Sequence, residues 1–388
     1  MSRALNYAGR LPAPVRRMIK RLPGARKAQA KLAGEPSGPT PRSGELRPVI
    51  YLPTWARWDE MRQRPQYLLA AFARAGHPVY FVDPREPTAR RADGVDIVPS
   101  LGSVPASHVI LYAHFAPLVS KFDSFDDAVV VYDILDDLSI YDADESGMPE
   151  ERRVRSHHPS VMQSADVVVA SAPELVATHR SEREDIMLVE NGVEPERFRA
   201  PQNRPSTLEH IAGPIVGYHG AVARWFDFPL MQGVIEAMPE TQFVVVGPVD
   251  AEAERSIGPL QAISNFHLLD PVPSDEIPGY VAAFDVGLVP FVVDDLTRAV
   301  SPLKMYEYLA ARVPVVATPL PVCVDHPLVA TASTIDGFVE AIQSARADRG
   351  SEEFTKAADD AAQAASWDSR IDIVRQRLSE QGQLVVSL

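Results

Sequence analysis

From Pro48 onward, short apolar runs alternate with longer stretches whose apolar residues recur at helical spacing. The runs are Val49-Ile50-Tyr51-Leu52, Val79-Tyr80-Phe81-Val82, Val109-Ile110-Leu111-Tyr112, Val129-Val130-Val131-Tyr132, Val167-Val168-Val169-Ala170 and Met187-Leu188-Val189. Each is continuous in apolar residues rather than alternating with polar ones, which is the pattern of a strand buried on both faces. Between the first two, residues 64–75 place Leu68, Leu69 and Phe72 at helical spacing and stop at Gly76. Strands alternating with helices predict a parallel, doubly wound sheet.

A polar, proline-containing stretch at residues 201–206 interrupts the series, which then restarts. Ile215-Val216-Gly217-Tyr218, Phe243-Val244-Val245-Val246-Gly247, Phe266-His267-Leu268-Leu269, Val286-Gly287-Leu288-Val289 and Pro314-Val315-Val316-Ala317 follow, with helical patterns over 274–283 and 302–311. A chain of 388 residues is too long for one ordinary core. The expected fold class is α/β, with two doubly wound Rossmann-like domains facing a cleft. Residues 1–46 are expected to be a basic tail and flexible linker, the linker being the Pro-, Gly-, Ser- and Thr-rich stretch from Gly34 to Arg47. Residues 47–202 form the first domain, 203–365 the second, and 366–388 a final helix. Ligands of such sheets bind at the carboxyl ends of the strands.

The charge changes this picture at the amino end. Residues 1–46 carry ten lysines and arginines against Glu35 and Glu45, a net +8, which leaves −22 on the rest of a chain whose net charge is −14. An acidic body is a poor nucleic-acid binder. Within the arm, Val15, Met18, Ile19 and Leu22 fall on one helical face, Arg16, Arg17, Lys20 and Arg21 on the rest, and Pro23 ends the helix. That is the pattern of an interfacial helix, and residues 13–31 are the candidate contact with an anionic membrane. A solvated tail is the alternative. Cys323 is the only cysteine, so a zinc site would have to rely on histidine and carboxylates, and no metal is expected. No run approaches the roughly 20 apolar residues of a membrane span. The first 34 residues lack the apolar run of a secretory leader. The expected location is cytoplasmic, peripheral on the inner face of the plasma membrane.

The candidate chemistry lies in Ser301-Pro302-Leu303-Lys304-Met305-Tyr306-Glu307. Ser301 is a good helix cap and Pro302 a good first residue. The backbone N–H groups of Leu303 and Lys304 then point out of the helix start and, with its dipole, make an anion site. Lys304 adds a full charge there. Glu307, one turn on, suits a pair of adjacent hydroxyls such as those of a ribose. Anion at the tip and diol one turn away describe a nucleoside diphosphate. A capped amphipathic helix with a surface Lys–Glu pair is the structural alternative.

Here the chain resembles the GT-B glycosyltransferases, in particular the large retaining family that includes bacterial polysaccharide and teichuronic acid enzymes. The family stretch Pro-x-Lys-x-x-Glu-Tyr-x-Ala-x-x-x-Pro-Val-Val is matched by residues 302–316. Asn191-Gly192-Val193-Glu194 with Phe198, Ala165 to Ser171, Arg64-Pro65-Gln66, and Tyr132-Asp133-Ile134-Leu135-Asp136-Asp137 resemble further pieces of it. So do Gly217-Tyr218-His219-Gly220 with Arg224, and Trp367 with Arg370 ahead of the final helix. The resemblance implies two cleft-forming Rossmann-like domains, no cofactor, and a nucleotide sugar as donor, by family frequency a UDP-sugar. It implies a glycan or lipid-linked acceptor and retention of configuration. It places Gly220 and Arg224 at the diphosphate, the loop 270–273 with Val272 at the base, and His114 near the reacting centre. Asp136 and Asp137 follow a strand and are candidates to accept a proton or orient the acceptor. Each has a plainer alternative: a turn for Gly220, a surface charge for Arg224, helix capping for His114 and Asp136. The family's acidic residue eight positions before the second glutamate is replaced by Ala299, with Asp294 or Asp295 as possible substitutes. The usual glycine before Pro314 is also missing.

Four other readings compete with this one. A dinucleotide oxidoreductase needs Gly-x-Gly-x-x-Gly after a strand, and no such run occurs. Asp142-Ala143-Asp144 resembles the metal-binding Asp-x-Asp of the other glycosyltransferase fold but lacks its surroundings. A sugar-nucleotide epimerase on the same fold, or an inactive scaffold, would keep the donor site.

Overall fold

The computed structural model describes residues 35–52, 57–59, 62–137 and 149–387. The basic arm over 13–31 and Asp142-Ala143-Asp144 lie outside the described residues. Among the described residues no helix is long and apolar enough to cross a membrane.

The chain divides into two compact units, with the changeovers at Glu190–Asn191 and Ser366–Trp367. The first changeover comes earlier than the expected 202–203. Val193 and Phe198 are buried in the core of the second unit, so the stretch that carries them travels with it.

The first unit holds β1 (Val49–Tyr51), β2 (Val79–Val82), β3 (Arg90–Ala92), β4 (Val95–Val98), β5 (Ile110–Ala113), β6 (Val129–Ile134), β7 (Val167–Ala170) and β8 (Met187–Leu188). They form one sheet in the order β3-β4-β2-β1-β5-β6-β7-β8. All neighbours are parallel except β3 and β4. That hairpin is absent from the apolar-run reading, because β3 is Arg-Arg-Ala and pairs only at the sheet edge. Its turn is Asp93-Gly94, both at positive φ (50° and 80°), the dipeptide that two-residue hairpins favour. The order reverses between β1 and β5, so the ends of these two strands flank the switch point of the sheet.

Residues 35–47 are not the free linker that their composition suggests. The Gly38 N–H donates to the Val104 carbonyl at 2.8 Å and the Gly44 N–H to that of Val386 at 2.9 Å. A Cβ on Gly38 would lie 2.7 Å from Val104, so glycine is there for close approach rather than for freedom.

The second unit holds β9 (Ile215–His219), β10 (Gln242–Val246), β11 (Phe266–Leu269), β12 (Val286–Val289), β13 (Val315–Ala317) and β14 (Val329–Thr331). The order is β11-β10-β9-β12-β13-β14, all parallel. In sequence terms this is 3-2-1-4-5-6, the doubly wound dinucleotide-fold order, and its switch point lies between β9 and β12. β14 was not anticipated, being a short, half-exposed edge. The last helix, Trp367–Glu380, belongs to the first unit, where Trp367 stacks on Tyr67 with ring centres 5.3 Å apart. Trp367 and Arg370 lie inside this helix rather than ahead of it.

A buried ion pair fixes the sheet of the first unit to the helix over it. Arg64 opens the helix Arg64–Arg74 and donates to both carboxylate oxygens of Asp133, on β6, at 2.9 and 3.0 Å. Tyr112 of β5 donates its hydroxyl to Asp133 at 2.9 Å, and Arg64 also reaches the Glu190 carbonyl at 3.0 Å. Removing one partner strands a buried charge, so Arg64→Ala should cost about 3–5 kcal/mol in urea unfolding. The Arg64→Ala/Asp133→Ala double variant should cost less than the sum of the singles. A loss for Arg64→Ala no larger than that of a surface arginine would show that the pair does not hold the unit together.

Candidate functional site

The end of β9 carries the first half of the site. His219 closes the strand and Gly220 follows it at φ 112°, a conformation that favours glycine. The Gly220 N–H donates to the Val246 carbonyl at the end of β10 at 2.9 Å. A Cβ on the next residue, Gly247, would stand 2.3 Å from the Gly220 oxygen. The two loops therefore touch backbone to backbone: Gly247 has no room for a side chain, and Gly220 is restricted by its positive φ.

The second half is the helix Leu303–Ala310. Pro302, not Ser301, occupies its cap position, and no side chain caps it. The Ser301 hydroxyl is engaged elsewhere, paired with the Tyr306 hydroxyl at 3.0 Å and accepting the Asn191 N–H at 3.3 Å. The Asn191 side chain donates to the Ser301 carbonyl at 2.6 Å. Asn191 thus anchors the chain just before the helix, and the leading N–H groups, those of Leu303 and Lys304, keep no acceptor within the helix.

Lys304 reaches back from this first turn to Gly220. Its Cε lies 3.4 Å and its Nζ 3.7 Å from where a Gly220 Cβ would stand. Nζ lies over the rings of Tyr218, at 5.0 Å, and Phe291, at 4.8 Å. The aromatic faces favour the cation. Burial still lowers its pKa to about 8, against the pull of Glu307 and Cys323. A lysine held here is short of negative charge.

Glu307 lies one turn on. Burial alone would raise its carboxyl, but His219 outweighs it, with Arg197 and Lys304 adding, and the carboxyl is held below its usual range. Its Oε2 lies 3.1 Å from His219 Nε2. The His219 N–H donates to the Tyr308 hydroxyl at 3.2 Å. His219 is therefore part of the site, and the sequence reading passed over it as one letter within the glycine-rich loop. Its signal was its place as the last residue of the first strand of the second series.

Other expected residues fall less centrally. Arg224 is exposed in the loop after β9 and has no partner among the described residues. Val272 is half-buried and packs on the core. Ala299 is buried at the end of the short helix Asp295–Arg298. Asp294 is spent capping that helix, accepting the Thr297 N–H at 2.9 Å, and Asp295 is exposed in its first turn. The missing glycine before Pro314 has a counterpart: Arg312 itself takes the left-handed conformation, φ 57°, tied to Asp359 by two 3.0 Å hydrogen bonds.

In the first unit, His114 follows β5 directly, at the switch point. Tyr51, the last residue of β1, hydrogen-bonds its Nδ1 through the hydroxyl and stacks on the ring at 5.4 Å. Burial lowers the His114 pKa to about 4, with Asp133 opposing. His114 is therefore a neutral imidazole at pH 7. Asp136, just past β6, is open to water, yet the surrounding protein raises it to about 6, with Asp137 and Asp133 adding like charge. Solvent screens part of this, so its place at a strand end says more than the shift.

Comparison with known proteins follows this geometry. Residues 216–348, within the second unit, match the family model "Glycosyl transferases group 1". Over 217 residues the chain is 32% identical to the putative teichuronic acid biosynthesis glycosyltransferase TuaH of Bacillus subtilis, a match covering 53% of this chain and 53% of that protein. The chain thus spans about half the length of the curated relative it matches. Sucrose-phosphate synthase from Thermosynechococcus elongatus superposes with a TM-score of 0.63 at 17% identity, covering 87% of this chain and 99% of that one. Anabaena HepE, solved in complex with UDP, superposes at 0.57 and 15% identity, covering 86% and 100%. These likenesses show the two-domain GT-B fold.

The lowered Lys304 pKa has a consequence for the free protein. The unfolded chain keeps this proton up to about pH 10.5 and the native state releases it near 8. Across that window the unfolded state binds more protons, so wild-type stability relative to Lys304→Met should rise with pH. Melting temperatures of both proteins from pH 7.5 to 10, as rough limits, would test this; parallel curves would place Lys304 in water.

Proposed function

We propose that this chain, whose second unit carries the glycosyl transferases group 1 domain, moves a sugar from a nucleotide-sugar donor to a hydroxyl of a glycan or lipid-linked acceptor in cell-surface polysaccharide synthesis. The observation that carries the reading is Lys304, half-buried and turned toward Gly220 at the start of a helix whose first N–H groups point outward. A half-buried cation whose pKa is lowered despite Glu307, a helix start without a side-chain cap and a glycine at positive φ together ask for a diphosphate. HepE was solved with UDP, which supports a uridine donor here. The teichuronic acid role named for TuaH supports a polysaccharide product.

In this reading Lys304, Arg224 and the N–H groups of Leu303 and Lys304 neutralise charge gathering on the departing diphosphate, with Gly220 giving its backbone room. Such preorganised electrostatics are usually the largest catalytic contribution. Glu307, held by His219, accepts hydrogen bonds from donor hydroxyls, and Val272 borders the base. The anomeric C–O bond to phosphate breaks and the acceptor oxygen forms the new bond on the same face, with retention. The acceptor proton passes to the leaving phosphate oxygen, so no dedicated base is needed. In the first unit, His114, neutral and oriented by Tyr51, is the candidate hydrogen-bond partner of the reaction and Asp136 the candidate to orient the acceptor. No metal or cofactor takes part.

Calorimetry with UDP tests the donor site. Lys304→Ala and Glu307→Ala should each weaken binding by about 1.5–3 kcal/mol, roughly ten- to a hundredfold, while the circular dichroism spectrum is kept. Wild-type affinity in both variants would remove the assignment. Incubation with UDP-sugars and no acceptor separates transfer from epimerisation, since an epimerase alone changes the sugar.

The basic arm gives the enzyme a reason to meet a lipid-linked acceptor. Each basic residue near an anionic leaflet contributes about 1 kcal/mol, whereas the acidic body is repelled. The full chain should sediment with anionic vesicles at low salt and be released as salt rises. A chain beginning at Glu45 should stay in solution, and equal sedimentation of the two would sink the idea.

A further inference from the structure

The first unit contains a cluster that the transfer chemistry does not use. His158 lies in the helix Pro149–Ser164, His179 ends the helix Pro173–His179, and Glu182 sits in the turn after it. One ligand atom from each lies within 4.8 Å of the others. The two rings are 4.7 Å apart, and both histidines are buried, at 3% and 4% exposure.

The hydrogen bonds of the two rings leave a consistent remainder. His158 Nδ1 pairs with the Tyr132 hydroxyl at 2.9 Å, and His179 Nδ1 with Glu182 Oε1 at 3.0 Å. If each Nδ1 carries the proton, each Nε2 presents a bare lone pair. Both Nε2 atoms are buried and have no hydrogen-bond partner. Glu182 Oε2 stands 3.5 Å from His158 Nε2. Buried acceptors without partners are rare and need a cause. The geometry offers one, since both rings and the carboxylate bring a ligand atom within 4.8 Å of one another. A neutral imidazole whose other nitrogen is held by a hydroxyl is the form that ligates metal.

We propose that His158, His179 and Glu182 form a binding site for a zinc-class divalent cation, which pins the helix Pro149–Ser164 to the turn after the helix Pro173–His179. Two imidazoles and one carboxylate suit zinc, cobalt or nickel, whereas magnesium and calcium take oxygen ligands. Water would complete the fourth position of a tetrahedral zinc. Glu182 is 42% exposed, so an ion has a path in from solvent. Arg155 opposes a cation here, but it is exposed and its charge is screened. The site shares no residue with the nucleotide site, so its fate is independent of the donor reading.

The test uses the full chain without a histidine tag, stripped with EDTA. Zinc chloride titrated by calorimetry should bind saturably at one equivalent and raise the melting temperature, and magnesium chloride should do neither. Cobalt chloride should give the intense visible bands of a tetrahedral complex. Glu182→Gln, exposed and therefore safe for folding, and His179→Gln should each weaken zinc by at least roughly tenfold, and Tyr132→Phe, which frees His158 Nδ1, by about tenfold. Absence of saturable zinc binding in the wild type would overturn the site. So would zinc binding by Glu182→Gln at wild-type strength, or equal binding of magnesium.

Discussion

The approach of Lys304 to Gly220 organises the second unit around one point. A lysine ammonium is costly to draw out of water, and here it is half-buried beside a glycine at positive φ, over two aromatic faces. Everything near it serves to hold that arrangement. The φ of 112° at Gly220 favours glycine, and Gly247 must be glycine because a Cβ there would meet the Gly220 carbonyl. The helix start must be anchored, and Asn191 does so through Ser301. Glu307 must be kept charged near the lysine, and His219 secures that. The 3-2-1-4-5-6 strand order puts all of this at a switch point, where diverging loops leave room for a ligand.

The first unit solves a different problem with the same topology. Its switch point carries a neutral imidazole rather than a charge, with Tyr51 beside it. Behind the strands, Asp133 would be an unpaired buried carboxylate without Arg64, and with Arg64 and Tyr112 it becomes a rigid support for β5 and β6. The polar residues of this unit divide into those that position strands and those that face a strand end. The His158–His179–Glu182 group is a third kind, two buried imidazoles whose Nε2 atoms have no hydrogen-bond partner.

Much of this was readable from the chain. Continuous Val, Ile and Leu runs marked the buried parallel strands because both faces of such a strand are covered and a polar residue there needs a partner. Polar edge elements were lost for the same reason: β3 is Arg-Arg-Ala, and only the Asp93-Gly94 turn betrays it. The stretch 35–47 misled through composition. Glycine and proline signal a linker when free, yet glycine also permits the contact that Gly38 makes with Val104. Ser301 misled in a similar way, since a serine beside a helix start can turn its hydroxyl to the cap or to a neighbour, and Tyr306 wins it.

By itself, the sequence determined the buried strands, their parallel pairing, the two-domain plan and the helix bearing Lys304 and Glu307. These depend on periodicity and local backbone preference, which neighbouring residues dictate. Only the tertiary structure decided that Lys304 meets Gly220, that His219 meets Glu307, that Tyr51 meets His114 and that His158 and His179 share one pocket of protein. Each of these pairs joins residues from different elements, and the distance between them is set by how strands order and helices pack. Charge state followed from the same packing, because burial and partner, not residue type, brought Lys304 down to about 8 and His114 to about 4.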